Sequence, residues 1–325
     1  MSTEIILEAR HLKKYFPVHS GLLLKHTADV RAVDDVSFVV KRGETLGLVG
    51  ESGCGKSTLG RTLLRLYEPT AGEILYNGEV INRLTSKQLK PIRRNMQMIF
   101  QDPYESLNPR MTAASIVSEP FRIHKIGTRK EQRERTEELF EQVGLKRSQL
   151  DLYPHEFSGG QRQRISIARA IALNPDLIVC DESVSALDVS VQAQILNLLK
   201  DLQQQLHMTY LFISHDLSVI EHVCNRIVVM YLGKIVEFTD RDTLFDHSLH
   251  PYTQALIDAV PVAGRGKRRH GRILQGDVPN PMNPPSGCYF HPRCARCMER
   301  CKHEAPTLIE PKGHENHWVS CWLYE

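Results

Sequence analysis

A chain of 325 residues with 41% apolar and 24% charged residues can bury one large core and carry one or two appendages on it. Its formal net charge is only +3, with the basic residues scattered among acids, which argues against a nucleic-acid-binding face. No apolar run approaches the roughly 18 residues that span a bilayer, and the first ten residues carry Glu4 and Glu8 where a signal peptide is basic and then apolar. The expectation is a cytosolic chain without an anchor.

Along residues 5–76, short apolar strands at 36–40, 45–49 and 73–76 alternate with glycine-bearing turns. One helix interrupts them. It starts at Lys56 and runs through Leu59, Leu63, Leu64 and Leu66 at helical spacing, until Pro69 and Gly72 end it. Within this part, residues 16–29 read as an insertion in the first strand pair around Gly21-Leu22-Leu23-Leu24-Lys25, forming a partly buried hairpin. A strand at 96–100 comes next. Residues 102–157 turn helical, with a charge-rich stretch at 129–143, and read as an inserted helical subdomain. The alternation then resumes with a helix at 160–173, a strand at 177–180, a helix at 190–206, a strand at 210–213 and a strand pair over 226–236 that turns at Gly233. Such alternation favours an α/β protein with a mainly parallel sheet covered on both faces. Beyond Asp240, prolines and glycines from Pro251 to Pro285 and a basic run at 267–269 mark a loop-rich tail.

Gly50-Glu51-Ser52-Gly53-Cys54-Gly55-Lys56-Ser57 fits G-x-x-x-x-G-K-[ST] directly after an apolar strand and directly before a helix. In such a loop Gly50, Ser52, Gly53, Cys54 and Gly55 offer backbone N–H groups to the β-phosphate, and the helix N-terminus adds its positive end through Ser57 and Thr58. Lys56 bridges the β- and γ-phosphates, and Ser57 ligates magnesium. A second strand, 177–180, ends in Asp181-Glu182, which places two carboxylates at the C-terminal edge of a parallel sheet. They divide the labour: Asp181 for the magnesium shell, Glu182 to orient the attacking water and accept its proton.

Phe157-Ser158-Gly159-Gly160-Gln161 before a helix resembles the signature motif of ABC ATPases. Physically it is a second anion site, because Ser158 at a helix cap and two glycines leave N–H groups free. The resemblance implies that Ser158, Gly159, Gly160 and Gln161 meet the γ-phosphate of ATP held by a second cassette. Other family motifs occur in order. Gln101 resembles the Q-loop glutamine that senses magnesium and γ-phosphate, Ser185-Ala186-Leu187-Asp188 resembles the D-loop, His215 in Ser214-His215-Asp216 resembles the switch histidine, and Tyr15 stands where the family stacks adenine. One departure is Ser183, where the family has proline after the catalytic glutamate. The implied fold is a P-loop ABC ATPase with a RecA-like core, an antiparallel β subdomain, an inserted helical subdomain and a small cysteine-rich C-terminal lobe. The expected divisions are 1–101, 102–157, 158–240 and 241–325.

GESGCGKST from Gly50, MIFQDPYESLNPRMT from Met98, YPHEFSGGQRQR from Tyr153, DESVSALDVSVQAQ from Asp181, HPYTQAL from His250 and PPSGCYFHPRC from Pro284 resemble oligopeptide and dipeptide importer ATPases of the F type. The resemblance implies an ATPase using ATP and Mg²⁺, lying peripherally on the cytoplasmic face of the bacterial inner membrane. Its implied partners are a homologous, non-identical second ATPase subunit, two transmembrane permeases that dock on residues 101–143, and a solute-binding protein acting through the complex. An importer for nickel or another small solute is the alternative, since the ATPase never touches the cargo. An ABC protein of translation or DNA repair more often shows two cassettes in tandem or a long coiled-coil insertion, neither of which is visible, and a simple P-loop kinase lacks the signature motif.

Eight cysteines are unevenly placed, and five of them, Cys288, Cys294, Cys297, Cys301 and Cys321, crowd the tail. In a reducing compartment such a group reads as metal ligands before disulfides, and spacing alone also allows a Cys294–Cys297 chelate. The resemblance selects Cys288, Cys294, Cys301 and Cys321 for an iron–sulfur cluster of the [4Fe-4S] type with a structural role. Zinc, with His291, His303, His314 and His317 nearby, and free buried thiols remain open.

Overall fold

The computed structural model describes residues 4–20, 25–260 and 276–325. Its strands are β1 (Ile5–Ser20), β2 (Lys25–Lys41), β3 (Thr45–Val49), β4 (Ala71–Tyr76), β5 (Glu79–Val80), β6 (Met96–Ile99), β7 (Leu177–Asp181), β8 (Thr209–Ser214), β9 (Arg226–Tyr231), β10 (Lys234–Asp240) and β11 (Trp318–Val319). The helices are α1 (Lys56–Leu63), α2 (Ser86–Asn95), α3 (Pro103–Ser106), α4 (Ala113–His124), α5 (Arg129–Gln142), α6 (Gly159–Ile171), α7 (Val189–Leu206), α8 (Leu217–Val223), α9 (Arg241–His247), α10 (Pro251–Asp258) and α11 (Glu299–His303). Contacts divide the chain into two compact units. One comprises the residues up to Lys41, Thr45–Arg83 and everything from Ser214 onward, and the other Arg42–Glu44 with Leu84–Ile213.

In the first unit, β1 and β2 form a long antiparallel pair from Ile5 against Lys41 to Ser20 against Lys25, so the expected hairpin is present on both flanks. Residues 21–24, in the middle of the expected insertion, lie outside the described residues, as do Pro261, Gly264, Gly266 and the basic run 267–269. β4 pairs with β1 and β5 with β4, both antiparallel. A second set of strands runs β11-β10-β9-β3, in which only β3 and β9 are parallel. Leu46, Leu48, Val49, Ile227, Val228 and Val229 are buried, as a strand covered on both faces requires. β9 and β10 turn through Leu232 and Gly233, both at positive φ. The N–H of Gly233 then donates to the carbonyl of Cys54 at 2.9 Å, so the hairpin tip braces the loop after β3.

One expectation for this unit is corrected. The first helix ends at Leu63 rather than running to Leu66, because Arg65 takes a left-handed backbone (φ 53°) and donates its guanidinium to the carbonyls of Ile81 and Asn82. The tail is loop-rich as expected, with two short helices, α9 and α10, at its start; α10 is capped by His250 with Pro251 at its first position, and Tyr252 and Phe290 pack edge to face on Tyr231. Both are almost fully buried, and each contributes roughly 1.5–3 kcal/mol of apolar burial.

The second unit holds β6, β7 and β8, all parallel, in the order β8-β7-β6. Its helices α4, α5 and α6 pack on one another, and Ile116, Val117, Phe121, Phe140 and Ile165 on them are buried. α2 opens with a capping box of Thr85 and Gln88 despite Pro91 inside it.

Candidate functional site: a phosphate loop and a carboxylate strand end

β3 is buried along all five residues and delivers the chain to Gly50 at its C-terminal end. No side chain fits there. A Cβ at Gly50 would lie 2.2 Å from the carbonyl oxygen of Met230, and one at Gly55 (φ 106°) 1.9 Å from that of Ala32. Between these glycines, Ser52 and Gly53 form an exposed crest and Cys54 turns inward, its thiol held above the usual range by burial against the opposing pull of Lys56. Lys56 is 4% exposed, and its ammonium donates to the carbonyls of Gly50 at 2.8 Å and Glu51 at 2.9 Å. Those carbonyls solvate a charge that burial would otherwise penalise. Ser57 and Thr58 follow it in the first turn of α1. A cation, glycine-shaped backbone and a helix N-terminus in eight consecutive residues make a polyphosphate site.

Tyr15 lies on β1 in the same unit. Its hydroxyl donates to Asp34, which also accepts from the Tyr289 hydroxyl at 2.9 Å and lies 3.3 Å from the Lys234 ammonium. Burial opposes ionisation of Asp34, but these donors outweigh it and hold the carboxyl below its usual range. The Arg31 guanidinium stands 5.9 Å from the Tyr15 ring, while Phe16 is edge-on to Tyr67 at 5.5 Å. His215 is exposed after β8. The Ser214 hydroxyl accepts from the Asp216 N–H at 3.0 Å and Asp216 caps α8, so the backbone is pinned on the C-terminal side of the histidine.

In the second unit, β7 ends in fully buried Asp181 and half-buried Glu182. Glu182 has a left-handed backbone (φ 47°), a conformation that surrounding contacts must enforce in a non-glycine residue. Its N–H donates to the carbonyl of Ile213 at 3.0 Å, and its own carbonyl accepts from the N–H and hydroxyl of Ser185 at 3.2 and 2.9 Å. Hydrogen bonds thus brace the turn where the family's proline is replaced by buried Ser183. Gln101, directly beyond β6, donates its side-chain amide to the Glu182 carboxylate at 2.9 Å. Asp188 stands exposed at the N-cap of α7. Ser158 caps α6 in a reciprocal box: its hydroxyl accepts from the Gln161 N–H at 3.3 Å, and its N–H donates to the Gln161 side chain at 3.0 Å. A Cβ at Gly160 would lie 2.5 Å from Val191, and one at Gly159 3.6 Å from Leu187.

A glycine-walled loop holding a lysine, a strand ending in paired carboxylates and a serine-capped glycine turn, all on one chain, define an ATP-binding cassette. Residues 33–185 match the family model described as ABC transporter, and residues 236–301 that described as oligopeptide/dipeptide transporter, C-terminal region. The chain is 56% identical to the oligopeptide transport ATP-binding protein AppF of Bacillus subtilis (strain 168), over 99% of this chain and 98% of that one. Among solved structures, a dimeric post-hydrolysis state of the ATP-binding cassette MJ0796 bound to ADP and Pi has TM-score 0.65 and 29% identity, covering 73% of this chain and 99% of that one. cbiO1 from Clostridium perfringens, part of the ABC transporter complex cbiONQ, has TM-score 0.63 and 25% identity, covering 75% and 92%. The chain therefore belongs to the ATP-binding subunits of ABC oligopeptide/dipeptide transporters, and it is an ABC-type ATPase. No helix among the described residues is long and apolar enough to cross a membrane.

Cys288, Cys294, Cys301 and Cys321 are brought into one lobe, where the Cys288 N–H donates to the carbonyl of Cys301 at 2.8 Å. Burial pushes the Cys288 thiol up to about 12 and Cys321 up to about 11, with the neighbouring sulfurs adding to the effect, and Cys294 moves the same way. At Cys288, Cys294 and Cys321 burial thus favours the neutral thiol when no metal is bound. Cys297 turns its thiol to the Met298 carbonyl at 3.5 Å. Among the described residues no three Cys, His, Asp or Glu side chains are set to hold a metal ion, so the expected ligand set is gathered without being converged. The histidines that zinc would call on are engaged elsewhere: His291 faces the Cys288 carbonyl at 3.0 Å, His317 faces Glu237 at 2.7 Å and His303 faces Glu299 at 3.3 Å.

Sequence reasoning missed the residues that support the loop. Arg293, two positions after His291, donates both guanidinium nitrogens to the Glu51 carboxylate at 2.7 and 3.0 Å, and the Glu51 N–H donates to the Tyr252 hydroxyl at 2.9 Å. No spacing rule joins positions 242 residues apart.

Proposed function

We propose that this chain binds and hydrolyses ATP to energise an importer of di- or oligopeptides. The observation that carries the reading is the phosphate loop with Lys56 folded onto the Gly50 and Glu51 carbonyls, on a chain similar over its whole length to an oligopeptide transport ATP-binding protein. Lys56 and the loop N–H groups take the β- and γ-phosphates, Tyr15 stacks the adenine, and Ser57, Asp181 and Gln101 would hold Mg²⁺, which supplies charge neutralisation at the phosphates. Glu182 orients the water and accepts its proton, with Gln101 and His215 completing the catalytic set. Two cassettes close face to face, each site joining residues 50–57 of one to residues 158–161 of the other, with Asp188 at the seam. The partner cassette is a homologous, non-identical subunit. Two permeases dock on Gln101 and the helical segment after it, a solute-binding protein delivers the cargo, and the assembly sits on the cytoplasmic face of the inner membrane. The divisions 1–101, 102–157, 158–240 and 241–325 serve as the working parts of this machine, the last being a cysteine-rich lobe.

The reading is tested by Glu182→Gln in the assembled transporter. ATP binding persists, the closed cassette dimer accumulates, and phosphate release falls at least about a hundredfold. Release near the parent rate removes Glu182 from its role. In the same proposal the four tail thiols take a [4Fe-4S] cluster that staples the lobe, with zinc as the alternative. Iron, sulfide and zinc analysis after anaerobic purification separates the two, and a protein free of all three leaves only packed thiols.

A further inference from the structure

Glu51 is an electrostatic oddity, a carboxylate inside the loop assigned to a triphosphate. In water its charge would be screened, but it is only 24% exposed and sits next to Gly50, where like charges meet at short range. Every polar group of this residue is engaged. Its N–H donates to the Tyr252 hydroxyl, its carbonyl accepts from Lys56, and its carboxylate accepts both nitrogens of Arg293. The Arg293 side chain is 5% exposed, so the pair is bidentate and largely shielded from solvent. Two of these three partners come from the C-terminal part of the chain, a segment that the ATPase reading does not use. The same segment reaches the nucleotide side a second time, through the Tyr289 hydroxyl on Asp34, the acceptor of Tyr15.

We infer that Arg293 is a positioning residue for ATP: it neutralises and fixes Glu51, so that the phosphate loop presents a net positive, pre-ordered face to the triphosphate. This rests on residues 50–57 being the phosphate loop. Two physical effects combine. Removing the guanidinium leaves an uncompensated carboxylate beside the incoming phosphates, and it frees the loop, so that binding must supply the ordering. The second effect alone would be merely structural. The first makes a distinct demand, because the penalty belongs to the Glu51 charge and disappears with it.

The experiment measures equilibrium binding of magnesium ATP to the full-length chain and four variants. Arg293→Gln weakens binding about tenfold or more, while Glu51→Gln/Arg293→Gln binds within about threefold of the parent. Glu51→Gln alone, which leaves the arginine in place, binds at least as tightly as the parent. Lys56→Ala abolishes binding and verifies the loop independently. Parent-like affinity in Arg293→Gln overturns the inference, and so does a weakened double variant, which would reduce Arg293 to a structural prop. Should Arg293→Gln not fold, Glu51→Gln still decides, since a tenfold weaker affinity there contradicts a harmful carboxylate. Parent-like affinity in Lys56→Ala sinks the phosphate-loop reading itself, a failure separate from the others.

Discussion

The phosphate loop and the carboxylate end of β7 solve opposite problems. The loop is walled by backbone at Gly50 and Gly55, tied internally by Lys56, and held from outside by Gly233, Tyr252 and Arg293. Glu182, half-buried and left-handed, meets the amide of exposed Gln101, which lies just beyond the last residue of β6. The loop is thus built from fixed backbone, while the Glu182 carboxylate is met by a side-chain amide. In the proposed cycle the contrast puts a backbone wall where the phosphates are recognised and a side-chain contact where the proton is taken up.

Substitution of the loop's own backbone breaks the contrast most severely. Gly55→Ala forces a methyl into the Ala32 carbonyl at a positive φ, so ATP binding is lost and stability falls by about 4 kcal/mol or more. Gly53→Ala, at φ 78° but with open space around it, costs only about 1 kcal/mol, and its ATP affinity stays near the parent's. Calorimetric binding and urea unfolding of the two variants measure the difference. Equal effects would show that the wall is not what shapes the loop.

A smaller effect comes from acid. His250 caps α10 by accepting from the Tyr252 N–H through Nδ1, and burial lowers its pKa to about 4 although Glu237 pulls the other way. The unfolded chain takes up a proton below about pH 6.5, whereas the folded chain does so only near 4, so protons favour unfolding between these values. Stability is therefore fully present above pH 6.5 and declines by up to about 3 kcal/mol on approach to pH 4. His250→Asn keeps a capping oxygen without a titrating group and flattens the slope of unfolding free energy between pH 7 and 5. An unchanged slope assigns the acid sensitivity elsewhere.

Smallest in energy is the catalytic side of the contrast. Gln101→Ala removes the Glu182 contact but none of the loop's supports, so turnover drops about tenfold while ATP affinity stays within about threefold. Single-turnover kinetics beside equilibrium binding separate the two quantities. A matching loss of affinity would make the proposed magnesium contact, and not the Glu182 contact, the main contribution of Gln101.

How much of this was readable depended on how local each signal is. Residues 50–57 carry their own strand, glycines, lysine and helix in one run, and both glycine walls are implied by the motif. The carboxylate pair and the capped signature turn are equally compact. α2 was hidden, because Pro91 and a polar run mask it, and the Thr85–Gln88 capping box was the available clue. The overextended first helix has a tertiary cause: Leu64 and Leu66 keep helical spacing, but the buried guanidinium of Arg65 is claimed by the carbonyls of Ile81 and Asn82. The tail cysteines advertise density in sequence, and density alone does not bring sulfurs to ligating geometry. The Glu51 pairing was out of reach, for nothing near either residue marks its partner.

That long separation sets a timetable for synthesis. The loop emerges from the ribosome early, but β9 arrives only with Arg226 and the guanidinium that meets Glu51 only with Arg293, 242 residues after it. At ordinary elongation rates the interval is about 10 to 50 s. Through that time the nascent chain carries the nucleotide motif without the guanidinium that pairs with Glu51, so that carboxylate is uncompensated by Arg293 until this late segment is made.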